Sequence, residues 1–357
     1  MRILYLISFA GRAGTEKYVK DLMRIFSAKG HDCRLAFWQA GGLSEEISAA
    51  GYSVFSLDMA PRHVWIAARR LARYCRENEI DIVHTQYPRE NVIAVLSRLW
   101  RKKTCVLFTS HLTVRQGIAW KLCNRLLTPF NKAVITVCSP GAALLRENGV
   151  WAGKIHYIPN GIEASARPVR KNVIREEFAL CDNCYIFLTM ARYASEKGLD
   201  VLLQALCKLK KASSLPFVCL IAGEGALFED VRAQIRDLGL EENVIQAGFR
   251  TDTKALMCSA DAYVSSAVSG EAMSYAILEA MDCALPLAVT DVGAGRELAE
   301  GCGYVSAPGD AEGLAENMHR LLTAPTDGRA LGAAGRRRVL GEFDLFKTTA
   351  ELMKFYE

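Results

Sequence analysis

With 357 residues the chain is long for one hydrophobic core and suited to two domains. Apolar residues at 51% and charged residues at 23% exclude a disordered or fibrous protein. The net charge of +5 hides two unlike parts: residues 1–165 carry 23 Lys/Arg against 12 Asp/Glu, a net +11, and the remainder carries 21 against 27, a net −6. A basic first part suits an anionic acceptor or a membrane surface, or is simply a solvated face.

The chain opens on RILYLIS (2–8), a strand-length run broken by Ser8, Gly11 and Arg12, too short for a secretory leader. Nothing later approaches the roughly 18 to 20 apolar residues of a membrane span. A cytoplasmic protein is expected, resting at most on the membrane face. Further strands are predicted at 33–38, 82–85, 105–111 and 133–139, with helical patterns at 15–29, 62–78 and 91–100. The second half repeats the rhythm. Strands are predicted at 185–191, 217–223, 244–248, 262–266 and 286–291, with helices near 197–211, 227–239, 275–283 and 309–323. Two such blocks imply two doubly wound α/β domains.

The predicted boundaries are 1–165 for the first domain, 166–340 for the second and 341–357 for a closing amphipathic helix. The first junction falls between the turn Asn160-Gly161 and the linker residue Pro168. Most of the twelve cysteines sit singly in apolar runs. Cys181 and Cys184 form the only Cys-x-x-Cys pair, so no structural metal is expected.

Three segments carry chemistry. The loop after the first strand, SFAGRAGTEKYV, has Gly11 and Gly14 where backbone N–H groups can approach an anion. It lacks the Gly-x-Gly-x-x-Gly and following acid of a dinucleotide site, and the plain alternative is an ordinary helix entry. In TMARYASEKGLDVLL, Arg192 and Lys197 precede a helix, where cations oppose the helix dipole unless a diphosphate lies between them. The alternative is two exposed cations, one paired with Glu196. In SGEAMSYAILEAM, Glu271 falls on a loop and Glu279 one turn into a helix among buried-type residues, and a carboxylate there needs a partner or a ligand. Such carboxylates hold ribose and hexose hydroxyls. His111 and His84 end predicted strands, at the edge where open α/β sheets bind ligands, although a structural role is the commoner one. His31, His63, His156 and His319 read as surface or turn residues.

Taken together, DIVHTQ (81–86), TSHLT (109–113), YIPNGIE (157–163), MARYASEKGLDVLLQAL (190–206) and the Glu271/Glu279 pair resemble glycosyltransferase family 4, from residue 1 to about 325. The resemblance implies a GT-B fold, two Rossmann-like domains facing each other across a cleft, and a retaining transferase that needs no metal or other cofactor. It implies that Arg192 and Lys197 grip the donor diphosphate and stabilise the leaving group. Glu279 would take the ribose hydroxyls. Glu271 would hold the sugar, with backbone amides of Ala272, Met273, Ser274 and Tyr275. His111 would reach the transferred sugar, and Gly14 would let its loop approach the phosphates. Ala272 and Ser274 stand where the family commonly has glycine. The expected donor is a nucleotide sugar, UDP-activated before GDP-activated, and the acceptor a saccharide or lipid-linked saccharide of a surface glycan. Nucleic acid is not an expected partner. The basic, aromatic stretches 62–76, 98–103 and 115–125 suit an anionic membrane. The rival readings are a non-hydrolysing sugar-nucleotide epimerase and a non-catalytic sugar-nucleotide-binding protein.

Overall fold

The computed structural model describes residues 1–111, 113–165 and 169–357. It forms two compact units, one of Met1–Asn160 with Phe346–Glu357, the other of Gly161–Leu345. Of the stretch predicted as a linker, residues 166–168, Pro168 among them, lie outside the described residues.

The first unit is built on a seven-stranded sheet of β1 (Arg2–Phe9), β2 (Asp32–Gln39), β3 (Val54–Ser56), β4 (Ile82–Thr85), β5 (Cys105–Ser110), β6 (Ala133–Thr136) and β7 (Ile155–Tyr157). Its order is β3-β2-β1-β4-β5-β6-β7, with every pairing parallel. Parallel sheets are covered on both faces, which is why Ile3 to Ile7 form an unbroken buried run instead of alternating. Helix Gly14–Ala28 buries Tyr18, Leu22 and Phe26, and helix Val64–Glu77 buries Ala67, Leu71 and Cys75. The strand predicted at 133–139 stops at Thr136 because helix Ser139–Glu147 starts there, with Pro140 in its first turn, where a missing N–H costs nothing. The strand predicted to close on His111 ends one residue earlier, at Ser110.

The second unit holds six parallel strands, β8 (Tyr185–Met190), β9 (Phe217–Ala222), β10 (Val244–Gly248), β11 (Ala262–Ser265), β12 (Leu287–Thr290) and β13 (Gly303–Ser306). Their order is β10-β9-β8-β11-β12-β13. Its core draws Leu202, Leu206 and Leu209 from helix Leu199–Ala212 together with Leu314, Met318 and Leu321 from helix Ala311–Thr323.

Strand order reverses between β1 and β4 in one sheet and between β8 and β11 in the other. Helices leave to opposite faces at such a point, opening a crevice at the carboxyl ends of the strands. The residues of interest lie there. Among the described residues no helix is long and apolar enough to cross a membrane.

Candidate functional sites in the two units

In the second unit the loops after β8 and β11 flank the reversal point. The β8 loop turns through a 3₁₀ segment, Ser195–Lys197, into Gly198, whose φ of +58° lies in the left-handed region. Ser266 Oγ donates to the Lys197 carbonyl at 2.9 Å, and the Val268 N–H donates to the Glu196 carbonyl at 2.9 Å. These bonds stitch the SEKG loop to the segment leading to Glu271. As a result Lys197 Nζ and Glu271 Oε1 form an ion pair, with side chains 21% and 19% exposed. Both line a narrow pocket with Thr189, Tyr263, Ser265 and Ser274.

Glu279 lies one turn into helix Tyr275–Asp282. Burial raises the Tyr263 phenol, and the charges of Glu271 and Glu279 raise it further, so both acids act on one side chain. Tyr263 itself donates to the Met190 carbonyl at 3.3 Å. Ala272, Met273 and Tyr275 are buried, and Ser274 is the N-cap residue of the helix. Arg192 behaves otherwise. Its Nη2 donates to Glu196 Oε1 at 2.9 Å and its side chain is 67% exposed. The geometry brings Lys197 and Glu271 together, keeps Glu279 within electrostatic reach of the same Tyr263, and leaves Arg192 exposed on the pairing with Glu196 that the sequence allowed.

In the first unit Gly14 opens helix Gly14–Ala28, and His111 follows β5 at the same sheet edge. The Gln86 amide donates Nε2–H to the His84 carbonyl at 3.3 Å and turns Oε1 toward His111 Nε2 at 3.0 Å. His111 therefore carries its proton on Nε2, which leaves Nδ1 as an acceptor. Tyr18 packs edge-on against the imidazole, centroids 4.9 Å apart. His84 is wholly buried, its Nδ1 2.7 Å from Tyr356 Oη and its Nε2 2.7 Å from Thr109 Oγ1. It is a satisfied core histidine. Gln86, Tyr18 and Tyr356 escaped sequence reasoning. The first had a usable signal, because β4 and β5 are neighbours and their ends place Gln86 beside His111.

Burial pushes both His84 and His111 down to about 3, with the charge of His111 adding to the effect on His84. Burial also pushes Glu90 up to about 7, against backbone N–H groups of Gln86 and Tyr87 that bond its Oε2 at 2.9 Å. Both imidazoles titrate below their ordinary 6.5, so the unfolded chain binds more protons and stability falls as pH drops from 6.5 toward 3. Glu90 works oppositely between 7 and its ordinary 4.5, gaining stability as pH falls. Two larger shifts outweigh one smaller shift. The urea midpoint is expected to decline from pH 6.5 to 4.5, more steeply below 4.5, and His84→Gln should flatten the curve. A wild-type midpoint constant over that window would refute it.

Among the described residues no group of three or more His, Cys, Asp or Glu is placed to hold a metal ion.

Residues 170–338 match the family model described as Glycosyl transferases group 1, and residues 12–166 that described as Glycosyltransferase Family 4. The chain is 24% identical to a phosphatidyl-myo-inositol mannosyltransferase of Mycolicibacterium smegmatis, across 98% of this chain and 91% of that protein. It is 26% identical to a Campylobacter jejuni N-acetylgalactosaminyltransferase named for a diphospho-undecaprenol substrate, across 65% and 63%. Among solved structures, Anabaena Alr3699/HepE in complex with UDP superposes with a TM-score of 0.87 at 17% identity, over 99% of each chain.

Proposed function

We propose a specific reaction for this chain, which belongs to glycosyltransferase family 4 and is a GT-B glycosyltransferase of glycan biosynthesis. The reaction is transfer of a hexose or N-acetylhexosamine from a UDP-sugar, with retention of anomeric configuration, to a saccharide or lipid-linked acceptor of a surface glycan. The observation that carries it is the Lys197–Glu271 pair at the reversal point of the second sheet, with Glu279 acting on the same Tyr263. A cation already held in place needs little reorganisation when a diphosphate replaces its carboxylate partner. The UDP in the HepE complex favours UDP as the base. Two relatives are named for lipid or diphospholipid substrates, which favours a lipid-linked acceptor.

In this reading the donor diphosphate takes Lys197 from Glu271 and draws Arg192 from Glu196. The freed Glu271 accepts sugar hydroxyls while the amides of Ala272, Met273, Ser274 and Tyr275 steady the ring. Glu279 accepts the ribose hydroxyls. His111, an acceptor at Nδ1, accepts a hydrogen bond from a hydroxyl of the transferred sugar, and Gly14 admits the phosphates to its loop. As the glycosidic bond to phosphate breaks, negative charge grows on the leaving diphosphate, and Lys197 and Arg192 meet it. The departing phosphate oxygen helps remove the acceptor proton on the same face, which retains configuration. Charge neutralisation by two side chains needs no metal. The enzyme would work at the cytoplasmic face of the membrane as a peripheral protein.

The test is a panel of nucleotide sugars scored by melting temperature. A ligand at 100 times its Kd adds about 2.7 kcal/mol to the folded state, a shift of several degrees. UDP-sugars should shift the transition and GDP-sugars should not, and the anomeric proton of a transferred sugar should show retention. A shift with GDP-sugars alone would overturn the base assignment. A converted donor with no acceptor present would mark an epimerase.

A further inference from the structure

We propose that helix Ile118–Leu127, which joins β5 to β6, is a docking surface for an anionic phospholipid bilayer; this rests on the lipid-linked acceptor proposed above. A helix between parallel strands normally buries one face against the sheet. This one buries none of its residues. Ile118, Leu122 and Leu126 are 78%, 58% and 71% exposed. Their spacing of four places them in one stripe, so the apolar face points to solvent.

Leu127 at its last position leans on the core, and polar bonds hold the rest of the helix. Asn124 Nδ2 donates to Gln116 Oε1 at 2.7 Å and to the Asn148 carbonyl at 2.8 Å. Trp151 Nε1 donates to the Arg125 carbonyl at 2.9 Å, and the Trp151 ring stays half exposed beside the helix.

The other two basic, aromatic stretches are engaged in part within the fold, although Trp65, Ile66 and Leu99 stay more than half exposed. Helix Val64–Glu77 buries its apolar face, Trp65 packs edge-on to Trp100, and Arg69 lies over the Trp100 ring at 5.2 Å. Among the described residues, Ile118, Leu122 and Leu126 lie open as a continuous stripe, with no ring or guanidinium recorded over them.

Charge selects the occupant. Residues 91–146 contain nine Lys/Arg and no Asp/Glu, and Lys121 and Arg125 belong to the helix itself. The first acid after that span, Glu147, is paired with Arg115 at 3.2 Å. An apolar stripe in an acid-free basic region fits a surface that offers acyl chains beneath phosphate headgroups. A second copy of this chain would bring the same positive charge against it. The helix also starts shortly after His111, so docking would set the acceptor edge of β5 near the bilayer where a lipid-linked saccharide arrives.

The experiment is vesicle flotation of the full chain and of the triple variant Ile118→Glu, Leu122→Glu, Leu126→Glu. Vesicles are phosphatidylcholine alone or phosphatidylcholine with phosphatidylglycerol. The three positions are exposed, so the variant should keep its melting temperature and its stabilisation by UDP. Wild type should float with phosphatidylglycerol vesicles, less so in high salt, and the variant should lose about tenfold or more in partitioning. Equal flotation of the two proteins would overturn the assignment of this helix and leave membrane binding to another surface. Failure of wild type to bind either vesicle would overturn membrane docking altogether, while UDP stabilisation would still speak for the donor site. A wild-type dimer that the variant turns into a monomer, seen by light scattering, would make the stripe a self-association face instead.

Discussion

Lys197→Ala is expected to lower transfer by roughly 10²-fold or more, the scale for losing a preorganised stabiliser of transition-state charge. It should also destabilise the resting enzyme, because Glu271, four-fifths buried at its side chain, loses its cation. That cost is about 1–3 kcal/mol for a largely buried group that loses one ionic partner. The two effects separate cleanly. Adding Glu271→Gln to Lys197→Ala removes the carboxylate charge and should restore most of the stability, while transfer stays low. Arg192→Ala makes a useful contrast. Its exposed pair with Glu196 is worth little to the fold, so transfer should drop by a similar factor with the urea midpoint unmoved. Wild-type rates in both single variants would remove the donor-diphosphate assignment. Recovery of transfer in the double variant would mean that the lysine acts only through the fold.

The sequence foretold these contacts unevenly. The strands β1, β2, β4 to β6 and β8 to β12 are short runs rich in apolar residues between turn residues, and a strand's local pattern is enough to find it. Strand β13, Gly303–Ser306, was not predicted, since Gly301-Cys302-Gly303 breaks the apolar run and only pairing with β12 makes it a strand. Helix Pro325–Gly341 was missed for a related reason. Glycine is a poor helix former, yet a Cβ on Gly332 would fall 1.9 Å from the Ala284 carbonyl, so the helix needs glycine to pack there. Local propensity and tertiary packing pull in opposite directions, and packing wins.

Site residues divide along the same line. Glu271 and Glu279 share one short segment, so their spacing could be read directly. The Lys197–Glu271 pair spans 74 positions, the Gln86–His111 bond 25, and the His84–Tyr356 bond 272. No pattern in a single sequence announces contacts of that range. The family resemblance turned Lys197 and Glu271 toward one donor without foreseeing their ion pair, carried Gln86 only as the last residue of DIVHTQ, and offered nothing for Tyr356.

Gly198→Val is expected to cost nearly as much transfer as Lys197→Ala, about 10²-fold, although residue 198 carries no chemistry. Its φ of +58° is strained for any residue with a Cβ, at about 1–2 kcal/mol, and more for a β-branched one. A Cβ there would also stand 2.3 Å from the Ser266 carbonyl. That atom is backbone, so it cannot swing away as a side chain would. The loop must move, and the loop is what carries Lys197 to Glu271. Helix Leu199–Ala212 begins at the next residue and is anchored by Leu202, Leu206 and Leu209 in the core, so the shift is forced back onto Ser195–Lys197. Kinetics and nucleotide titration together test the chain of cause. Binding of UDP should weaken along with transfer, because the diphosphate loses a properly placed cation. Gly198→Asn should fall between valine and wild type, since asparagine tolerates the left-handed region yet still brings a Cβ. Unimpaired UDP binding and transfer in Gly198→Val would show that the loop need not hold Lys197 where it stands.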